Sequence, residues 1–168
     1  MNLKINSHIN LKQLSEIDQK TIIDLETILS DESIIRYLPF KSPPNKTEVK
    51  SFLEKIINDK TKVWGITFND TTIGIIDLIN IEEDSANLAY FLSKSHQGKG
   101  IISTAIKVVS EYAFQELKIL NIIAPIVSRN HLSKRVLEKN HFTFYQKTGK
   151  KVNFDGDEDD VLLYILEK

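Results

Sequence analysis

The chain contains no cysteine. Disulfides, cysteine-ligated metals and a cysteine acyl-enzyme are therefore excluded. It also lacks an excess of charge of either sign. The 22 Lys and Arg stand against 23 Asp and Glu, for a formal net charge of −1. Nothing general draws such a chain to nucleic acid or to an anionic membrane. No apolar run approaches the roughly 20 residues of a membrane span. The opening Met1-Asn2-Leu3-Lys4-Ile5-Asn6 has no apolar signal core. The expectation is a cytoplasmic protein with neither nucleic acid nor membrane as partner. The four histidines, at 8, 96, 131 and 141, include no i, i+4 pair and no His-Glu-x-x-His, so no metal site is expected. Asp155-Gly156-Asp157-Glu158-Asp159-Asp160 fails as a calcium loop. Counted from Asn153, Glu158 stands where Gly is needed and Tyr164 where the closing Glu is needed. It is expected as a solvated hairpin turn whose charge attracts a basic amine or peptide N-terminus. No repeat, linker or shift of composition divides the chain, so residues 1–168 are expected to form a single domain.

What is present is an ordinary globular composition, 41% hydrophobic and 27% charged in 168 residues. A chain of this length buries about two thirds of its unfolded surface. Ile9, Leu11 and Leu14 predict a first strand. Ser15 is placed as the cap of a helix carrying Ile17, Ile22, Leu25, Ile28 and Leu29. A short helix follows from Asp31 through Ile34, Ile35 and Leu38, stopped by Pro39. Thr47 is placed as the cap of a third, with Val49, Phe52, Leu53, Ile56 and Ile57. Strands are predicted over 63–68, 72–79, to 92, 121–127, 142–147 and 161–166, with Asn69-Asp70 as a turn. The unbroken isoleucines of 72–79 imply burial on both faces. A short helix lies within 128–140. Trp64, the phenylalanines and Tyr145 are read as packing residues. Strands with interleaved helices, but no strict βα alternation, make a mixed α/β protein.

The stretch 88–114 organises the rest. Leu88-Ala89-Tyr90-Phe91-Leu92 is an apolar strand, and Ser93-Lys94-Ser95-His96 a polar turn. Gln97-Gly98-Lys99-Gly100 then opens a helix whose apolar stripe holds Ile101, Ile102, Ala105, Ile106, Val108, Val109, Tyr112 and Ala113. A strand, a glycine-bearing turn and a helix in that order can hold a phosphate, because the glycines turn N–H groups inward and the helix adds its positive end. The same letters also suit an ordinary tight turn. A P-loop is ruled out by Ser93 and Gly100, which occupy the positions of its first Gly and its Ser or Thr. A dinucleotide fingerprint fits poorly, with Ser103 in place of its third glycine and no acidic residue closing the 121–127 strand.

Gln97-x-x-Gly100-x-Ile102 after a strand resembles the acyl-CoA signature of the GNAT N-acetyltransferase superfamily, with Ile102 where Gly or Ala is usual. Asn130-His131-Leu132-Ser133, followed by Val136-Leu137-Glu138-Lys139-Asn140-His141-Phe142, resembles the superfamily's Asn-x-x-Ser helix and the strand entry after it. His141-Phe142 stands for the usual Gly-Phe, and the combination is most like the ribosomal-protein N-terminal acetyltransferase branch. Ile73-Gly74-Ile75-Ile76 matches a central strand, and the likeness spans roughly residues 9–166. It implies a single-domain α/β (α+β) fold with a mixed, mostly antiparallel central sheet flanked by helices.

The resemblance also implies a chemistry. Acetyl-CoA, as co-substrate, would lie on Leu92, Ser93, Gln97, Gly98, Lys99, Gly100, Ile101 and Ile102. Asn130 would touch the pantetheine, and Ser133 would stabilise or protonate the leaving thiolate. Asn130 also suits a plain helix cap. Relatives often carry a glutamate base at the position of Asn87 here, which leaves Asp77, Glu82, Glu83, Asp84, His131 or a water relay to take the proton. Lys94, His96, Lys99, Arg129, Lys134 and Arg135 flank the two motifs. Arg36-Tyr37-Leu38-Pro39-Phe40 matches a lip over the acceptor. The acceptor amine, of a protein N-terminus or a small molecule, would attack the thioester directly in a ternary complex, on a monomer or homodimer. Two other classes fit part of the pattern. One is a non-catalytic acyl-CoA-binding or regulatory module, which Asn87 allows; the other is a nucleotide-binding protein.

Overall fold

The computed structural model describes residues 2–154 and 157–168. Two strands open it, β1 (Leu3–Lys4) and β2 (Ile9–Gln13). Three helices follow, α1 (Gln19–Leu29), α2 (Glu32–Ile35) and α3 (Lys46–Ile56). Next come β3 (Lys62–Phe68), β4 (Thr71–Ile79) and β5 (Ser85–Leu92). Helix α4 (Ile101–Gln115), β6 (Asn121–Val127), α5 (His131–Lys139), β7 (Thr143–Phe154) and β8 (Asp157–Glu167) complete the chain. The strands form one sheet in the order β1-β2-β3-β4-β5-β6-β8-β7. Every pair is antiparallel except β5 with β6.

Local chemistry sets most boundaries. Asn69 and Asp70 take positive φ, 47° and 62°, and turn β3 directly into β4. The cap of α1 is Asp18 rather than Ser15: its carboxylate accepts the Thr21 N–H at 2.7 Å. The cap of α3 is Asn45 rather than Thr47, and Glu48 closes a reciprocal capping box with it. Helix α2 ends at Ile35, a turn before Pro39. Both strands of the last hairpin run longer than their apolar cores predict, because their pairing continues past those cores to Phe154 and Asp157. Lys147 Nζ lies 2.6 Å from Asp160.

Two cores lie on opposite faces of the sheet. Helices α4 and α5 cover one, with Trp64, Ile76, Leu78, Leu88, Leu92, Ile106, Ile122, Leu137 and Phe142. Trp64 is fully buried and meets Tyr112 edge-on at 5.4 Å. Helices α1 to α3 cover the other, with Leu25, Leu29, Val49, Leu53, Val63 and Ile75. Strand β4 is buried on both faces. Its start is tied to α1, where Asp24 accepts the Thr72 N–H at 2.8 Å. Not every aromatic packs inside: Phe144 and Tyr145 are 57% and 56% exposed, and Phe68 is exposed as well.

Candidate active site

The parallel pair at the centre of the sheet is very short. Ser85, Ala86 and Asn87 pair with Asn121, Ile122 and Ile123. Beyond them β5 runs on to Leu92 and β6 to Val127 without pairing to each other. Each stays bonded to its other neighbour, β4 or β8. The sheet therefore splits into a V with two strand edges facing the gap. Pro125, which has no N–H to offer a neighbour, lies in the unpaired length of β6. The outer wall of β5 is tightly seated. A Cβ on Gly74 would stand 2.3 Å from the Phe91 carbonyl oxygen. The Ser93 N–H is taken by the Ile73 carbonyl at 2.8 Å.

The turn after β5 sits at the open end of this V. Lys94–His96 form one 3-10 turn. Gln97 sends its side-chain amide back to the Leu92 carbonyl at 3.0 Å, so it braces the turn against the strand it leaves. Ser93 Oγ meets His96 Nδ1 at 2.7 Å, and the imidazole lies tilted against Phe68, ring centroids 5.6 Å apart. Burial, then the neighbouring Lys99, hold the His96 pKa below its ordinary value. Gly98 and Gly100 have φ of 75° and 76°, and open space stands above both. Gly100 is the N-cap of α4. Among the described residues, the backbone N–H groups of 98–103 make no hydrogen bond. Together with the helix dipole they make a concavity of positive potential, the geometry an anion would need.

On the far side of the V, Asn130 caps α5. Its Oδ1 accepts the Ser133 N–H at 3.1 Å. The loop before it is anchored by Asp159, which is buried, ion-paired with Arg129 and 3.2 Å from Ser128 Oγ. Asp159 is thus a structural group and not part of a solvated turn. Asp155 and Gly156 of that turn lie outside the described residues. Ser133 Oγ lies 2.8 Å from the hydroxyl of Tyr90, which reaches across from β5. Burial pushes the Tyr90 pKa up to about 12, against the opposing pull of the Ser133 hydrogen bond. Between α4 and the α5–β7 corner, a hollow of about 380 Å³ is lined by Ser103, Lys107, Lys139 and Asn140 among others.

Residues 8–143 match the acetyltransferase (GNAT) domain. The chain is a GNAT-family N-acetyltransferase. YjcK of Bacillus subtilis (strain 168) is 36% identical over 127 residues, spanning 72% of this chain and 70% of that protein. RimL, a ribosomal L7/L12 alpha-N-protein acetyltransferase solved with coenzyme A, superposes with a TM-score of 0.88. That match covers 99% of this chain and 98% of RimL at 19% identity. A spermidine N-acetyltransferase from Vibrio cholerae, solved with CoA and spermine, gives a TM-score of 0.81 over 96% of each chain at 19% identity. At such identity these two likenesses are of fold.

Within this GNAT fold the two motifs meet, since Gln97-x-x-Gly100 and Asn130-x-x-Ser133 stand at one end of the V. The remaining candidates separate. Glu82, Glu83 and Asp84 are exposed in the turn that opens β5, the end where β5 and β6 are still paired. His131 is exposed on the first turn of α5. Segment 36–40 follows α2, whose cap Asp31 lies 4.0 Å from Lys94 beside the turn. Of these candidate bases Asp77 is the one buried in the sheet, paired with Ala89 of β5. Two features escape sequence reading. Tyr90 looks like one more apolar strand residue, because its partner Ser133 is 43 positions away. The V itself leaves one trace in the letters, a proline inside an otherwise central strand.

Proposed function

We propose that this GNAT enzyme transfers an acetyl group from acetyl-CoA to a primary amine by direct attack in a ternary complex. The observation that carries the reading is the split between β5 and β6, with an unsatisfied row of N–H groups at its mouth. The pyrophosphate fits the concavity made by Gln97, Gly98, Lys99, Gly100, Ile101 and Ile102. The hollow lined by Lys107 and Lys139 leaves room for the nucleotide end. The pantetheine arm pairs with the free edge of β5 near Leu92 and Ser93, as an added strand would. Asn130 meets the arm from α5. A free β5 N–H polarises the thioester carbonyl. The sulfur leaves toward Ser133, whose hydroxyl is coupled to that of Tyr90.

The acceptor enters from the other face of the sheet. RimL and the spermidine enzyme mark the two acceptor classes we propose to test, a protein N-terminus and a small polyamine. The whole chain works as one domain, and the protein draws on the cytoplasmic CoA pool. The test is thermal stability with acetyl-CoA, CoA, ATP or NAD added separately, followed by thiol release with a panel of amines. A ligand at 100 times its Kd adds about 2.7 kcal/mol to the folded state. Stabilisation by acetyl-CoA and CoA alone is expected. No shift with either would overturn the reading.

A further inference from the structure

We propose that Asp77 is the group that accepts the proton of the attacking amine, reached across Ala89 from the face opposite the pantetheine. The inference rests on the acetyl-transfer reading above and deepens it. Side chains alternate along β5. Leu88, Tyr90 and Leu92 face the α4–α5 core, where Tyr90 meets Ser133. Phe91 faces the α1–α3 core, and Asn87 and Ala89 share its parity. Asp77 pairs directly with Ala89, and the same register pairs Ile79 with Asn87. Cβ atoms of such a pair stand about 4.5–5.5 Å apart. Asp77 and Tyr90 therefore flank the same point of β5 from opposite sides. One side receives the leaving sulfur and the other holds a carboxylate.

Asp77 is 6% exposed, and its Oδ1 has no hydrogen-bond partner among the described residues. A buried carboxylate oxygen without a partner is costly and unusual. Asp159, the other buried aspartate, has the Arg129 guanidinium beside it, whereas no cation acts on Asp77. Ala89, by contrast, is exposed and carries only a methyl group, so the way to the carboxylate passes over it. Ser85 and Asn87, the polar side chains of the same parity on β5, are a hydroxyl and an amide and take no proton at neutral pH. Burial raises the Asp77 carboxyl to about 7, opposed by the Ala89 N–H; no charged side chain on β3, β5 or the covering helices contributes. A base in that range is matched to neutral pH. In the step itself the N–C bond forms and the C–S bond breaks. The nitrogen's proton passes to the Asp77 carboxylate, and the thiolate is met by the Ser133–Tyr90 hydroxyls. Asp77 returns its proton to solvent as product leaves.

The test is Asp77→Asn in the full chain, with spermidine and a serine-terminated peptide as acceptors, and with water as the acceptor in slow acetyl-CoA hydrolysis. The expected kcat loss is about a hundredfold or more. The KM for acetyl-CoA stays unchanged, and so does the stabilisation by CoA. The wild type is expected to lose rate on the acid side of about pH 7, and this limb disappears in Asp77→Asn. In Asp77→Ala, added formate restores part of the rate. A wild-type rate with the limb intact in Asp77→Asn overturns the proposal. So does a rate loss that tracks weaker CoA binding. Failure of the underlying reading shows differently, as absence of CoA stabilisation in the wild type, and it removes this proposal with it.

Discussion

Asp77→Asn also makes a prediction that requires no activity at all. The wild-type carboxyl titrates near 7 in the folded protein and near 3.8 when the chain unfolds. The folded state therefore binds the extra proton between those two values. The stability tied to this group is present in full below about pH 4 and is lost as pH rises through 7. A shift of about three units corresponds to roughly 4 kcal/mol at pH 8 and above, an upper bound because water and local relaxation soften burial. Asparagine has the same shape and does not titrate. Its extra N–H groups carry a cost of about 1–3 kcal/mol if unpaired, but that cost is the same at every pH. The signal is thus the change in the difference between the two proteins. Linkage predicts that Asp77→Asn gains about 2 kcal/mol on wild type between pH 5.5 and pH 8.5. For a domain of this size that is a relative shift in Tm of roughly 4–8 °C. Urea unfolding at both pH values, with calorimetry alongside, measures it. A difference that stays flat across this range would refute the claim that Asp77 is buried and uncompensated.

Three further outcomes are expected. Tyr90→Phe leaves Ser133 Oγ without its cross-cleft partner and should lower kcat about tenfold while costing about 1 kcal/mol of stability, read by steady-state thiol release and thermal melts; an unchanged kcat would take Tyr90 out of the chemistry. Gly100→Ala meets no atom but places a side chain at φ of 76°, so stability should fall by about 1–2 kcal/mol and the acetyl-CoA KM should rise. A KM equal to wild type would mean that the turn does not hold the co-substrate. Gly74→Ala drives a Cβ into the Phe91 carbonyl, so a loss of several kcal/mol in chemical denaturation is expected, and a loss under about 1 kcal/mol would show that β4 and β5 can separate without cost.

Much of the fold was readable because its causes are local. The stripe from Ile101 to Ala113 specifies α4, since a 3.6-residue period admits one apolar face. The limits of β6 coincide with the predicted 121–127 because an apolar run ends there in polar residues. Where reading slipped, neighbours were competing. Ser15 and Asp18 both suit an N-cap, as do Thr47 and Asn45, and each contest was settled by which side chain reached the free N–H groups. Phe144 and Tyr145 look like core and are not, because β7 is the last strand of the sheet and α5 does not reach over them.

The letters alone determine the glycine turn after β5, the helix that follows it and the Asn130–Ser133 cap, because glycine freedom, helix periodicity and capping act within a few residues. Only the tertiary structure decides that β5 and β6 part after three pairs, that Tyr90 meets Ser133 across the gap, and that Asp77 is buried beside Ala89. Those depend on strand pairing and helix cover between segments tens of residues apart. No local preference encodes how far two distant strands stay together, and the cleft exists only where they do not.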